Sequence, residues 1–241
     1  MAAKALRIPL RNNLVHFPSF SQLPYDKDVN ERYYALNFMR GVYTPSKHWI
    51  FLGEIYEDQT LRIPRHPGEK TMEFRGPRQF GIERPRYGVR DKNGQELQVA
   101  FHTDPAEMVV QFDARKFKIG HTIAVLYAHS HSWAFGGMGL RIEQMAVVKV
   151  IPCSLKALLD AHPKFPESEN EECAACAKQT KTRCSKCKTP YCSRECQRRD
   201  WRERHKDECV AVRQLRNWAS RTDWHVFGTK GYWDFRTTPN L

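Results

Sequence analysis

Seven of the chain's eight cysteines fall between Cys173 and Cys209, in the order Cys173-x2-Cys176-x7-Cys184-x2-Cys187-x4-Cys192-x3-Cys196-x8-His205-x3-Cys209. A segment this short and polar cannot bury enough apolar surface to hold one shape. The spacing suggests what does. Two cysteines separated by two residues let both thiolates grip one ion, and a histidine and a cysteine four apart share one helix face. Seven thiols and one imidazole suffice for two closed tetrahedral zinc sites. A closed site leaves no position for water or substrate, so the metal would be structural and would supply much of the segment's folding free energy. The intervals alone are compatible with sequential or interleaved ligand pairs.

The compartment matters to that reading. The opening "MAAKALRIPLRNN" has no apolar run of signal-peptide length, and no stretch of about twenty apolar residues could form a membrane helix. The sequence reads as soluble and intracellular, nuclear or cytoplasmic. In a reducing compartment clustered cysteines serve as metal ligands rather than disulfides. The formal net charge of +12 is spread along the chain, with an excess of six over residues 1–163, three over 164–209 and three over 210–241. Such a balance suits acidic partners and plain solubility alike, and names neither.

The polar, proline-bearing "HPKFPESENEE" reads as a linker, dividing the chain into a domain at 1–163, a linker at 164–172, the cysteine module at 173–209 and a tail at 210–241. The first unit reads as strands: 47–57, 86–91 and 95–102 around the turn Asn93-Gly94, then 121–129 and one long strand at 140–151. Asp104 would cap a short helix from Pro105, or that stretch is irregular. Leu155, Leu158 and Leu159 at helical spacing predict a helix over 153–162. The expected class is α+β. Five strands with an insertion between the third and fourth resemble a small closed barrel of the oligonucleotide/oligosaccharide-binding (OB) type, a generic barrel or sandwich being the plainer reading.

The segment joining the first two strands carries nine Lys and Arg against four acids between Arg62 and Lys92, interleaved with Phe74, Phe80 and Tyr87. Arginine beside exposed aromatics suits stacking on unpaired bases with phosphate contact. Arg75, Arg78 and Arg86 are therefore candidate nucleic-acid contacts, for single-stranded DNA or RNA. The alternative is a solvated loop whose aromatics fold back.

The cysteine module, with its "YCSRECQ" and the adjoining "Q-x-x-D-W", resembles the MYND-type zinc finger over residues 173–209. The resemblance implies two structural zinc ions with interleaved ligands: Cys173, Cys176, Cys192 and Cys196 on one, Cys184, Cys187, His205 and Cys209 on the other. It further implies a groove for extended, proline-containing peptides at Ser185, Gln197 and Trp201. One departure stands out. The family reads D-W-x-x-H, whereas this chain reads "DWRERH". An added residue rotates the downstream part of a helix by about 100°, so a kink or loose turn is expected between Trp201 and His205. Ser193 is placed to cap the helix bearing Cys196, the charges of "RRDWRERHKDE" read as a solvated face, and Tyr191 is expected between the two sites.

The tail extends helically from Cys209 and then carries Trp224, Phe227, Tyr232, Trp233 and Phe235. Aromatics in this number should dock on the barrel or on the zinc module, where they could also cover Trp201. His102, His121, His129 and His131 have no carboxylate at metal-site spacing and read as surface or hydrogen-bonded histidines, "AFGGMGLR" as a turn, and Cys153 as a buried, inert thiol. With no cofactor motif found, a non-enzyme is expected: an adaptor whose module recruits a protein partner, with transcriptional regulation as one setting, or else a nucleic-acid binder.

Overall fold

The computed structural model describes residues 9–64, 80–134, 136–161, 172–225, 227, 231–238 and 241. The central strands are those with the longest apolar runs. β1 (Tyr34–Asn37) and β2 (Val42–Pro45) form a separate hairpin, followed by β3 (Ile50–Asp58), the pair β4 (Leu61–Pro64) and β5 (Phe80–Arg84), β6 (Arg86–Asp91), β7 (Glu96–Phe101) and helix α1 (Pro105–Gln111). Then come β8 (Thr122–Leu126), β9 (Ser130–Ser132), β10 (Met138–Ile142), β11 (Val148–Ile151) and α2 (Leu155–Ala161). Seven strands make one sheet in the order β11-β8-β3-β6-β7-β10-β9. Ile50, Phe51 and Leu52 of β3 and the whole of β8 are buried, as expected of strands covered on both faces. Gly53 is required by packing: a Cβ there would lie 2.2 Å from Val89 Cγ1.

The expected closed barrel is not what forms. The predicted strand 140–151 is two strands, interrupted by a tight turn at Met145–Val147. β10 runs parallel to β7, whereas β11 runs antiparallel to β8, so one chain pass serves opposite sides of the sheet. The turn between them is pinned from outside: the Met145 amide donates to Glu107 Oε1 at 2.9 Å, and the Ala146 carbonyl accepts from the Phe235 amide at 2.8 Å. In a flat sheet β11 and β10 would stand five strand spacings apart, about 24 Å. The six residue steps from Ile142 to Val148 reach about 20 Å at most, and less through a tight turn. The sheet is therefore strongly curled, with chain continuity rather than a hydrogen-bonded ladder linking its two sides.

The β6–β7 hairpin turns at Asn93-Gly94 as expected, with Gly94 at φ +84°. Its tip does more than turn. Lys92 Nζ, buried, donates to the carbonyls of Leu10 (3.0 Å), Asn13 (3.2 Å) and Phe17, and Asp91 Oδ2 accepts from the Phe20 amide at 2.8 Å. These contacts clasp an N-terminal arm whose Leu10, Phe17, Phe20 and Leu23 complete the core. α1 is capped by Asp104, which accepts from the Ala106 amide at 2.7 Å. On α2, Leu155, Leu158 and Leu159 are buried.

A long helix that starts within the cysteine module, α4 (Lys206–Ala219), packs on α2 and places Ala211, Leu215 and Trp218 in the main core. The tail follows it in. Trp224 Nε1 donates to the Trp218 carbonyl at 3.1 Å, and Trp233 stacks on His48 with ring centroids 3.6 Å apart. The tail thus docks on the sheet domain. Cys153 is buried, its thiol pushed up to about 12 by that burial. Gly136 and Gly137, with φ +90° and +84°, turn the β9–β10 hairpin, while Gly139 lies within β10. The linker expected at 164–172 lies outside the described residues but for Glu172.

Candidate metal centre and groove

The module begins with two copies of one turn. In the first, the Cys173 carbonyl accepts from the Ala177 amide at 2.8 Å, and the Cys173 amide donates to the Lys178 carbonyl at 2.8 Å. In the second, the Cys184 carbonyl accepts from the Lys188 amide at 2.9 Å, and the Cys184 amide donates to the Thr189 carbonyl at 2.8 Å. Ala177 and Lys188 occupy the same place and share a left-handed conformation, φ +59° and +65°. Such a conformation costs a non-glycine residue roughly 1–2 kcal/mol, a strain that brings each cysteine pair onto one side of its loop. The repeat is invisible in the sequence because only the cysteines are shared.

α3 (Arg194–Asp200) then supplies Cys196, capped by Ser193 as expected: its hydroxyl accepts from the Cys196 amide at 3.2 Å. The eight ligands gather into two groups, Cys173, Cys176, Cys192 and Cys196 in one and Cys184, Cys187, His205 and Cys209 in the other. In each group the ligand atoms lie within 4.8 Å of one another. Interleaved pairing is therefore the geometry adopted, and each loop is tied to α3 or α4.

Spacing tests the fit to metal. Sulfurs on a tetrahedron with Zn–S bonds near 2.3 Å stand about 3.8 Å apart, against about 2.05 Å in a disulfide. Cys176–Cys192, Cys192–Cys196 and Cys196–Cys176 are separated by 3.5, 3.6 and 3.8 Å, and Cys187 Sγ to His205 Nε2 by 3.3 Å. Protonation agrees. Burial raises the Cys173 thiol, but the amides of Cys192, Ala175 and Cys176 turned toward it outweigh burial and lower it to about 6. Cys184 is lowered in the same way, against burial, by the Cys187 and Lys186 amides. Cys192 is pushed up to about 12 by the Cys176 and Cys196 thiols, and Cys209 to about 12 by burial and by Cys187 and Cys184. Each group thus sets one thiol whose proton is held less tightly beside thiols whose deprotonation a cation would favour. Burial lowers His205, leaving a neutral imidazole with a lone pair to give. Zinc bound there would act as a tetrahedral cross-link.

Between the two groups sits Tyr191, buried, its ring edge-on to His205 at 5.4 Å. Its hydroxyl donates to Asp200 Oδ2 at 2.5 Å. Asp200 is itself buried and pairs with Arg204 at 2.9 Å, and Arg204 also reaches Glu208 at 3.0 Å. The charged run expected to be a solvated face therefore keeps only part of itself in water. Arg202, Glu203 and Lys206 are exposed, while Asp200 and Arg204 brace the module. A buried acid is hard to detect in a run of charges, since its partner Tyr191 lies nine residues away.

The added residue of "DWRERH" is taken up without a break. Trp201–His205 is one π-helical turn between α3 and α4, with the Lys206 amide bonded back to the Trp201 carbonyl. A π-turn holds one residue more than an α-turn, so His205 keeps its place beside Cys187 and its four-residue interval to Cys209. The expected kink is instead a local widening, stapled by Arg204 bonding one turn in each direction.

Trp201 is 40% exposed, its ring meeting that of His205 at 5.8 Å. With Gln197, Arg194, Arg198 and Arg202 it lines an open groove of about 490 Å³ to which no described tail residue contributes. Ser185 is exposed on the second cysteine loop and is not part of that lining. Arg75 and Arg78 lie outside the described residues, and Arg86 opens β6, half-buried, its amide 3.5 Å from Thr60 Oγ1. The base of the basic segment forms the strand pair β4–β5 rather than loop. Two of the histidines found partners remote in sequence: His129 Nε2 meets Tyr34 Oη at 2.6 Å, and His131 Nδ1 meets the Asp26 carboxylate.

Interleaved Cys/His groups closed around a shared tyrosine define a cross-braced module with two sites that fit zinc. Within that class, residues 173–209 match the family model of the MYND finger. Short stretches are also similar to two Arabidopsis thaliana proteins. Ubiquitin carboxyl-terminal hydrolase 15 is 48% identical over 59 residues, 23% of this chain and 6% of that protein. Ubiquitin carboxyl-terminal hydrolase 19 is 38% identical over 65 residues, 27% of this chain and 10% of that protein. The likeness spans a tenth or less of those relatives. A solved structure of Schizosaccharomyces pombe Pot1pC bound to ssDNA is 12% identical over 50% of this chain and 89% of its own, with a TM-score of 0.25, too slight a likeness to place the sheet domain. No described helix is long and apolar enough to cross a membrane.

Proposed function

We propose that the chain is a zinc-scaffolded adaptor whose MYND finger presents the Gln197–Trp201 face to an extended, proline-containing segment of a protein partner. One contrast carries this reading. Trp218, Trp224 and Trp233 are 0%, 1% and 3% exposed, whereas Trp201, in the same third of the chain, stays 40% exposed beside a polar side chain. A tryptophan wall suits proline rings, and an amide side chain can pair with an extended backbone. In this reading the chain binds rather than catalyses, and it acts inside the cell, where its thiols remain reduced. The test is calorimetric titration of a proline-rich peptide into the zinc-loaded chain. Binding should be lost in Trp201→Ala with two zinc ions per chain retained; undiminished binding in that variant would sink the reading.

A further inference from the structure

The groove has a charge as well as a shape. Three of its five lining residues are Arg194, Arg198 and Arg202, and none is a carboxylate. All three arginines are exposed, and none forms an ion pair among the described residues. Of the acids in the same helical run, Asp200 is taken up by Tyr191 and Arg204 and Glu208 by Arg204, while Glu195, within electrostatic reach of Arg198 and Arg194, and Glu203 are exposed and outside the groove's lining. The arginines stand four residues apart, a row with a step of about 6 Å along the helix. Gln197 and Trp201 form a second row beside the first.

An extended peptide advances about 3.3 Å per residue and points alternate side chains to opposite sides, so same-side residues recur every 6.6 Å or so. That repeat is close to the arginine step. Resting on the adaptor reading above, we infer that the groove takes an acidic peptide in which Glu or Asp alternates with proline or an apolar residue. Carboxylates face the arginine row while the alternate side chains lie against Trp201. Guanidinium is the fitting partner here, since it pairs two-pronged with carboxylate.

The experiment is fluorescence anisotropy with the full, zinc-loaded chain. Its probes are a peptide alternating Glu with Pro and Leu, the same peptide with Gln for every Glu, and a single-stranded oligonucleotide. At low salt the acidic peptide should bind at least about tenfold tighter than its Gln counterpart, each exposed pair contributing a factor of a few. The gap should close in 0.5 M salt and in R194Q/R198Q/R202Q, narrow without closing in R194K/R198K/R202K, which keeps the charge but not the two-pronged pairing, and leave zinc content unchanged throughout. Equal binding of the two peptides, lost in Trp201→Ala, overturns the acidic preference while the adaptor reading stands. Binding of neither overturns both. Arginine-dependent binding of the oligonucleotide without binding of the acidic peptide assigns the row to phosphate and overturns the inference.

Discussion

The sheet domain and the zinc module solve the same problem by different means. The main core holds Trp49, Phe51, Ile55, Ile123, Leu126, Leu158 and Trp218, all buried. The module's own buried cluster is four cysteines and Tyr191. One is held by apolar area removed from water, the other by ligand geometry around positions suited to a metal. Yet they share α4, which gives Cys209 to the second metal group near its start and Ala211, Leu215 and Trp218 to the main core further along. Two kinds of cohesion therefore meet within ten residues of one helix, and the comparison turns on how far each depends on the other.

The sharpest way to break it is to remove the metal. Structural zinc supplies about 10–16 kcal/mol of binding free energy in finger peptides at neutral pH. Chelation should collapse amide-exchange protection over residues 173–205 while β3 and β8 stay protected. Simultaneous loss in both regions would show one cooperative unit. From the other side, Trp218→Ala deletes a fully buried ring and should cost the sheet domain about 3–5 kcal/mol, read from urea unfolding, with two zinc ions per chain still bound. Zinc affinity falling in step would place the coupling in α4.

A smaller effect separates the two regions by pH. Burial lowers His16 to about 4, helped by His225 and Lys47 and opposed by the His48 carbonyl its ring contacts. A histidine whose folded value lies below its ordinary 6.5 leaves stability unchanged above that value. As pH falls from 6.5 to 4 the unfolded chain takes up the proton first, so stability drops, here by roughly 3 kcal/mol. Exchange of the β3 and β8 amides should report that slope, and His16→Gln should flatten it; an unchanged slope in the variant would place the acid sensitivity elsewhere.

How much of this was legible in the sequence depends on the range over which each region is determined. Ligand types and intervals are local, so all eight ligands, the Ser193 cap and the place of Tyr191 could be read directly. Interleaving could not be read from the intervals and came from family resemblance. Short-range signals in the sheet domain held as well: the Asn93-Gly94 turn, the Asp104 cap, the leucine face of α2. What escaped was decided by partners far along the chain. "LRIEQMAVVKV" looks like one strand because nothing in it reveals that Leu140 will pair with Val99 and Val148 with Val125. Lys92 looks like a loop charge because the three carbonyls that bury it lie 75 to 82 residues upstream. The groove was half legible: Gln197 and Trp201 come together, Ser185 lies outside, and of the arginine row Arg198 and Arg202 were read as solvated charge while Arg194 was not singled out.

The widened turn at Trp201–His205 works as a phase adapter. Up to its first residue the helix aims Arg198 and Trp201 outward; from its last residue on it aims His205 and Cys209 inward at the second metal group. A uniform α-helix fixes the angle between two such faces by residue count alone. A single turn that holds one residue more loosens that arithmetic, so the chain length between the outward face and the inward face can change by one while both keep their bearings. The surface offered to a partner and the lattice of ligands beneath it are in this sense separately adjustable, although one continuous helix carries both.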